Sequence, residues 1–255
     1  MTLIKINGIN LNINTKGTGQ PVILIHGVGG DQTHLQTLAD RLSLNFKVIT
    51  YDCRGHGKSE KPLKYTLQNH VVDVLGIMDH FNIPIAYING ISMGSYIAQG
   101  VAIEAPVRVS KLILTVPKSN GLTSSVKRLF YEHARELAGL TQHEAIVALL
   151  KYMTYDPIAM QAHINIFETT LSQQQFYAAN NALEDFDFRN GLPTVIAKIL
   201  VISGKHDGLN PPQEGKLCAS LIPGTRFVEM QYSGHAPLYE EPEKYLNLVE
   251  DFLIY

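Results

Sequence analysis

Residues 83–101 read IPIAYINGISMGSYIAQGV. The opening run is almost wholly apolar, which predicts a strand over residues 83–88 that is buried on both faces of a largely parallel sheet. Residues from Ser92 to about Val101 predict a helix, so the five residues Gly90-Ile91-Ser92-Met93-Gly94 mark a strand-to-helix junction. The pattern G-x-S-x-G at such a junction is a sharp turn that lifts a serine hydroxyl above the sheet. Glycine is needed there because a side chain would collide with the turn or the neighbouring helix. By itself the pattern is weak, since a chain of this size holds one by chance roughly one time in ten. A glycine-rich helix start is the other reading, and the surrounding pattern separates the two.

Toward the amino terminus, alternating runs over residues 3–6 and 9–13 flank Asn7-Gly8, the strongest short hairpin signal. A continuous apolar run over 21–25 predicts another buried strand, ending in His26-Gly27-Val28-Gly29-Gly30. Leu35, Leu38, Ala39 and Leu42 then fall at helical spacing, residues 46–51 read as strand, and Thr66 can cap a helix with Leu67, Val71, Val74, Leu75 and Met78 on one face. Toward the carboxyl terminus come a strand over 109–116, a strand over 196–202, a helix over 211–221, a strand over 226–230 and a closing helix over 241–253. Strand and helix alternating through short loops give an α/β fold: a mostly parallel sheet with an N-terminal antiparallel hairpin and helices on both faces.

After Pro117 the alternation stops. Residues 122–187 contain no strand-like run, and they offer helix starts at Thr141 with Glu144, at Asp156-Pro157 and at Ser172. The reading is a core of residues 1–121 and 188–255 interrupted by a helical cap at 122–187. No internal repeat or low-complexity linker suggests an independent unit.

A length of 255 residues can still be one domain of this class. With 21 basic and 23 acidic side chains, no net field draws the chain to nucleic acid or to an anionic membrane. No run approaches the roughly 18 apolar residues of a membrane span, and the first residues alternate like strands instead of forming a signal peptide. Cys53 and Cys218 stand far apart in no metal-ligand spacing, which fits a reduced, cytoplasmic setting. No metal or cofactor is expected.

A serine hydroxyl needs a neighbouring base, and the base needs an orienting acid. Of ten histidines, His235 in Tyr232-Ser233-Gly234-His235-Ala236-Pro237 follows the last strand, on the rim that carries Ser92. Asp207 follows the strand over 196–202 in Ser203-Gly204-Lys205-His206-Asp207-Gly208, again at a carboxyl end. A solvated loop histidine and a turn aspartate are the bland alternatives. The order Ser92, Asp207, His235 is that of serine, acid and histidine in folds that carry the G-x-S-x-G turn, and His206 reads as a surface residue. An acyl-transfer intermediate places negative charge on a carbonyl oxygen, for which the backbone N–H groups of Met93 and Val28 are the expected donors. Gly27 and Gly29 flank Val28 and are expected to touch substrate. The same glycines could suggest a phosphate-cradling loop, but neither G-x-x-x-x-G-K-[ST] nor a complete G-x-G-x-x-G is present.

These residues together resemble the α/β-hydrolase superfamily, in the branch of 3-oxoadipate enol-lactonases and small carboxylesterases. The resemblance rests on His26-Gly27-Val28-Gly29, on Tyr51-Asp52-Cys53-Arg54-Gly55-His56-Gly57-Lys58-Ser59, on residues 90–94, 106–109 and 204–207, and on His235 with Glu241-Pro242. It implies that Asp52 and Arg54 organise a loop near the site without reacting. It also separates this chain from relatives on the same fold that attack with an aspartate. Two departures bear on substrate choice: Ser95 replaces a further glycine after the turn, and Leu35 stands where relatives often carry tryptophan.

The cap says least. Phe130, Phe167, Tyr131, Phe176, Tyr177 and Phe186 could wall a pocket or form helix core, with Phe130 and Phe167 the chosen substrate contacts. Arg128, Arg135 and Arg189 could hold a carboxylate, although a solvated helix face is the simpler reading. The expectation is hydrolysis of a small carboxylic ester or lactone through a Ser92 acyl-enzyme. Carbon–carbon hydrolysis of a diketone on the same groups, and a ligand receptor with little turnover, are the rivals. The expected partner is a small molecule, and a homodimer is compatible with the sequence.

Overall fold

The computed structural model describes residues 2–255. Asn7 and Gly8 both take positive φ, 48° and 82°, as a two-residue hairpin turn requires. They join β1 (Thr2–Ile6) to β2 (Ile9–Lys16) in antiparallel register, Ile6 opposite Ile9. Next come β3 (Pro21–Ile25), α1 (Gln36–Leu42), β4 (Lys47–Tyr51) and α2 (Leu67–His80), the last with the capping box at Thr66 and Asn69. β5 (Ala86–Ile91), α3 (Met93–Glu104) and β6 (Val109–Thr115) follow.

Helices α4 (Ser125–Glu132), α5 (Ala134–Leu137), α6 (Gln142–Met153) and α7 (Gln173–Asn181) occupy the next stretch. Its two ends lie side by side, with Asn120 bridged to Asp187 and the Phe188 N–H donating to the Ser119 carbonyl. The chain closes with β7 (Lys198–Gly204), α8 (Pro212–Leu221), β8 (Arg226–Met230), α9 (Pro237–Glu240) and α10 (Pro242–Ile254). Among the described residues, no helix is long and apolar enough to cross a membrane.

The eight strands form one sheet in the order β1-β2-β4-β3-β5-β6-β7-β8, antiparallel at β1–β2 and β2–β4 and parallel elsewhere. Side chains alternate between the two faces, so a buried strand must be apolar on both. Ile23, Ile49, Ile88, Leu112 and Val201 pack beneath α2 and α3, whereas Val22, Val48, Ile113 and Leu200 pack beneath α1 and α10. The chain runs outward from β3 to β4 and then returns to place β5 on the other flank of β3. That reversal opens a crevice at the carboxyl ends of β3 and β5.

Two strands start two or more residues later than the sequence suggested. The strand expected over 83–88 spans Ala86–Ile91, and the one expected over 196–202 spans Lys198–Gly204. Pro84 has no N–H for a ladder, and Ile85 and Ile196 are exposed, so the apolar residues ahead of each strand lie outside the paired sheet. At Asp156-Pro157 a 3-10 segment over Ala159–Ile166 forms in place of an α-helix.

Candidate active site

The turn after β5 forces Ser92 to φ 54° and ψ −118°, a costly conformation for a residue with a side chain. The surroundings hold it there. Its N–H donates to the Thr115 carbonyl at 3.0 Å, and its carbonyl accepts from the Ser95 N–H at 2.8 Å and the Ser95 hydroxyl at 2.6 Å. The hydroxyl that departs from the usual glycine therefore secures the turn. A Cβ on Gly90 would strike the Gly94 carbonyl, and one on Gly94 would strike the Ile25 carbonyl, so the two glycines let α3 start tight against β5 and the end of β3.

Ser92, His235 and Asp207 come from three separate loops and meet in one hydrogen-bonded chain. His235 Nε2 lies 3.0 Å from Ser92 Oγ, and His235 Nδ1 lies 2.8 Å from Asp207 Oδ2. The carboxylate fixes the proton on Nδ1, which leaves Nε2 to accept from the serine hydroxyl. Asp207 is 3% exposed and His235 9%, so the pair is largely shielded from water. The other oxygen of Asp207 accepts from the N–H groups of Leu209 and Asn210 at 2.9 and 2.8 Å, which locks the carboxylate plane. His206 is exposed beside Tyr155.

The loop after β3 supplies the facing wall. Cys53 N–H donates to His26 Nε2 at 2.9 Å, so the proton resides on Nδ1 and is donated to the Gly27 carbonyl at 2.7 Å. Burial drives the pKa of His26 down and keeps it neutral. Neither the Val28 nor the Met93 N–H, the one beside Ser92 in this loop and the other at the start of α3, is spent on another acceptor among the described residues.

Above the rim is a cavity of about 190 Å3, whose walls include Gly27, Val28, Gly29, Ser92 and His235. Phe130, Phe167 and Phe176 also line it, whereas Tyr131 and Tyr177 face outward and Phe186 packs on Tyr96 and Phe188. Leu35 contributes to the wall as well. None of the three arginines weighed for a substrate carboxylate reaches this cavity. Arg128 donates to the carbonyls of Gly208 and Leu209, Arg189 pairs with Asp187, and Arg135 is exposed.

Asp52 and Arg54 make structural bonds. Asp52 accepts from Asn12 Nδ2, Gln32 N–H and Lys58 N–H at 2.8, 3.0 and 2.7 Å, and Arg54 makes a two-pronged ion pair with Asp73 at 2.9 and 2.7 Å.

Three positions that sequence reasoning passed over also shape the site. Asn210 Nδ2 donates to the Tyr96 hydroxyl and the Val116 carbonyl, and its Oδ1 accepts from the Ser125 hydroxyl. Glu240 accepts from the N–H groups of Gly234 and Ala236, which flank His235, and of Tyr155. Lys118 lines a second recess beside Ser92. The only sequence signal for Glu240 was its place just ahead of the Glu241-Pro242 pair; the other two had none.

The fold and this rim define an α/β-hydrolase. The family described as the alpha/beta hydrolase fold matches residues 20–242, and the chain belongs to it. A 2-hydroxymuconate semialdehyde hydrolase of Pseudomonas putida is 30% identical over 96% of this chain and 91% of its own length. A Mycobacterium tuberculosis protein bearing a non-heme bromoperoxidase name is 29% identical over 92% and 94% of the two chains. Among solved structures, the enol-lactonase from Burkholderia xenovorans superposes with a TM-score of 0.85 at 26% identity, covering 100% of both chains.

Proposed function

We propose that this chain is a serine hydrolase that cleaves small carboxylic esters or lactones through an acyl-enzyme on Ser92. The unbroken chain from Ser92 Oγ through His235 to Asp207 carries the reading. Ser92 Oγ attacks the acyl carbon while His235 Nε2 takes its proton, and Asp207 holds the resulting imidazolium. The N–H groups of Val28 and Met93 receive the oxyanion. When the intermediate collapses, the carbon–oxygen bond to the alcohol breaks and His235 returns the proton to the leaving oxygen. Water, deprotonated by His235, then attacks the acyl-enzyme, releasing the acid and restoring the Ser92 hydroxyl.

Residues 122–187 act in this scheme as a cap that supplies much of the chamber wall. Both cysteines are buried and unpaired, which supports a reducing, cytoplasmic setting. A second reading, carbon–carbon hydrolysis of a diketone, is favoured by the name of the 30% identical Pseudomonas putida relative.

The test is p-nitrophenyl acetate and butyrate turnover, together with labelling by a fluorophosphonate. Ser92→Ala is expected to lower kcat by roughly 10⁴ or more and to abolish labelling. Turnover or labelling that survives the substitution would defeat the proposal, and cleavage of a vinylogous dienoate without comparable ester turnover favours the second reading.

A further inference from the structure

Ser92 and Val28 line two spaces, not one. The larger, apolar chamber of about 190 Å3 also contains His235 in its wall. The other is a recess of about 40 Å3 lined by Lys118, Tyr96, Asn120, Thr123 and Asn210 among others, and His235 is not in its wall. The difference assigns the two ends of an ester. On the mechanism proposed above, His235 must protonate the leaving oxygen, so the alcohol lies on the side of His235, in the apolar chamber. The acyl chain then points into the recess.

The recess is small, and more than half of the side chains around it are polar although most of the surface they expose is apolar. Its cation is Lys118, 6% exposed, whose ammonium has three protons to donate and spends one on the Thr123 carbonyl at 2.7 Å. Glu214 is near enough to attract it, and Glu214 Oε2 is buried without a hydrogen-bond partner. Burial lowers the Lys118 pKa, as expected of a charge removed from water without a full set of partners. No lysine or arginine lines the apolar chamber.

We infer that the Lys118 recess binds a carboxylate at the end of a short acyl chain, so that the preferred substrate is a half-ester of a short dicarboxylic acid with an apolar alcohol. This inference rests on the serine-hydrolase reading. The recess is several times smaller than the apolar chamber, which suits it to a short acyl chain. The two uncommitted donors of the ammonium, with the Asn120 and Thr123 side chains beside it, give the anion charge-assisted partners.

The experiment compares 2-naphthyl hydrogen succinate with 2-naphthyl butyrate, which share the alcohol and the acyl length and differ in the terminal carboxylate. For the unmodified protein the half-ester is expected to have a kcat/KM roughly tenfold to a hundredfold higher, the range of one charge-assisted hydrogen bond. In Lys118→Met the ratio of the two values is expected to fall toward one, chiefly through a higher KM for the half-ester. The comparison in the unmodified protein needs no variant, so it decides the matter even if Lys118→Met does not fold. A preference for butyrate in the unmodified protein, or a Lys118→Met ratio equal to the original, overturns the inference while fluorophosphonate labelling of Ser92 persists. No labelling and no turnover of either ester would instead sink the reading beneath it.

Discussion

At the scale of single residues, strain at Ser92 is matched by a second strained position that sequence does not announce. Val116, directly after β6, sits at φ 47°, a region where a β-branched residue is rarely found. Its N–H donates to the Ile202 carbonyl, and its own carbonyl accepts from Asn210 Nδ2 at 2.8 Å. Asn210, 1% exposed, thereby joins the Asp207 loop to β6, to Tyr96 on α3 and to Ser125 on α4. Truncation to alanine strips two buried groups, the Tyr96 hydroxyl and the Val116 carbonyl, and the half-buried Ser125 hydroxyl of their partner at once. Asn210→Ala is expected to cost roughly 2–4 kcal/mol in urea unfolding and to lower kcat, because the Asp207 loop loses its anchor. A loss below about 0.5 kcal/mol would show that water replaces the amide without penalty.

At the scale of elements, what the sequence made legible is what short range decides. The β5–α3 turn, the Asn7-Gly8 hairpin, the capping box at Thr141 and the helix start at Ser172 are each written in a few adjacent residues, and each forms. The start of α4 was not picked out, although Ser124 caps it by accepting from the Lys127 N–H, because no glutamate or glutamine three residues on marked the site as a box. The bracing of the His235 loop was illegible for a different reason: its partners converge from distant parts of the chain. The His235 N–H donates to the Met153 carbonyl at 2.6 Å and the Gly208 N–H to that of Tyr152 at 2.9 Å, so the end of α6 grips the loops of both His235 and Asp207. From α9, Glu240 gathers the N–H groups of Gly234 at 2.8 Å, Ala236 at 3.2 Å and Tyr155 at 2.7 Å. Glu240→Gln keeps one acceptor oxygen and turns an amide donor against the remaining N–H groups. Its kcat for p-nitrophenyl butyrate is expected to fall roughly tenfold, with a smaller change in KM, because small displacements of a reacting group are costly. An unchanged kcat would mean that the α6 bond to the His235 backbone and the Asp207 bond to its ring hold the imidazole without Glu240.

At the scale of the whole molecule, the apolar cores on the two faces of the sheet account for the fold, and one region of the core beneath α2 is polar. His26, His56 and His70 stand in a row there, with ring centroids 5.3 and 6.3 Å apart and Tyr65 edge-on to His70 at 5.3 Å. Burial, and then repulsion between the imidazoles, holds His56 down to about 3 and His70 well below its ordinary value. A histidine whose folded pKa is depressed is neutral when folded and takes up a proton on unfolding. Its stabilisation is therefore whole above about pH 6.5 and is lost as the pH falls toward the folded value. Each such group makes unfolding easier by about 1.4 kcal/mol per pH unit within that window. His70 is the cleanest place to test this, because neither ring nitrogen has a hydrogen-bond partner and its ring already packs among aromatic neighbours. His70→Phe keeps the packing and removes one proton site. Urea unfolding free energies measured from pH 7.5 to 4.5 are expected to fall less steeply for His70→Phe than for the unmodified protein, the gap widening by about 1.4 kcal/mol with each unit below pH 6.5. Parallel curves would mean that His70 is protonated in the folded chain, and that acid sensitivity arises elsewhere.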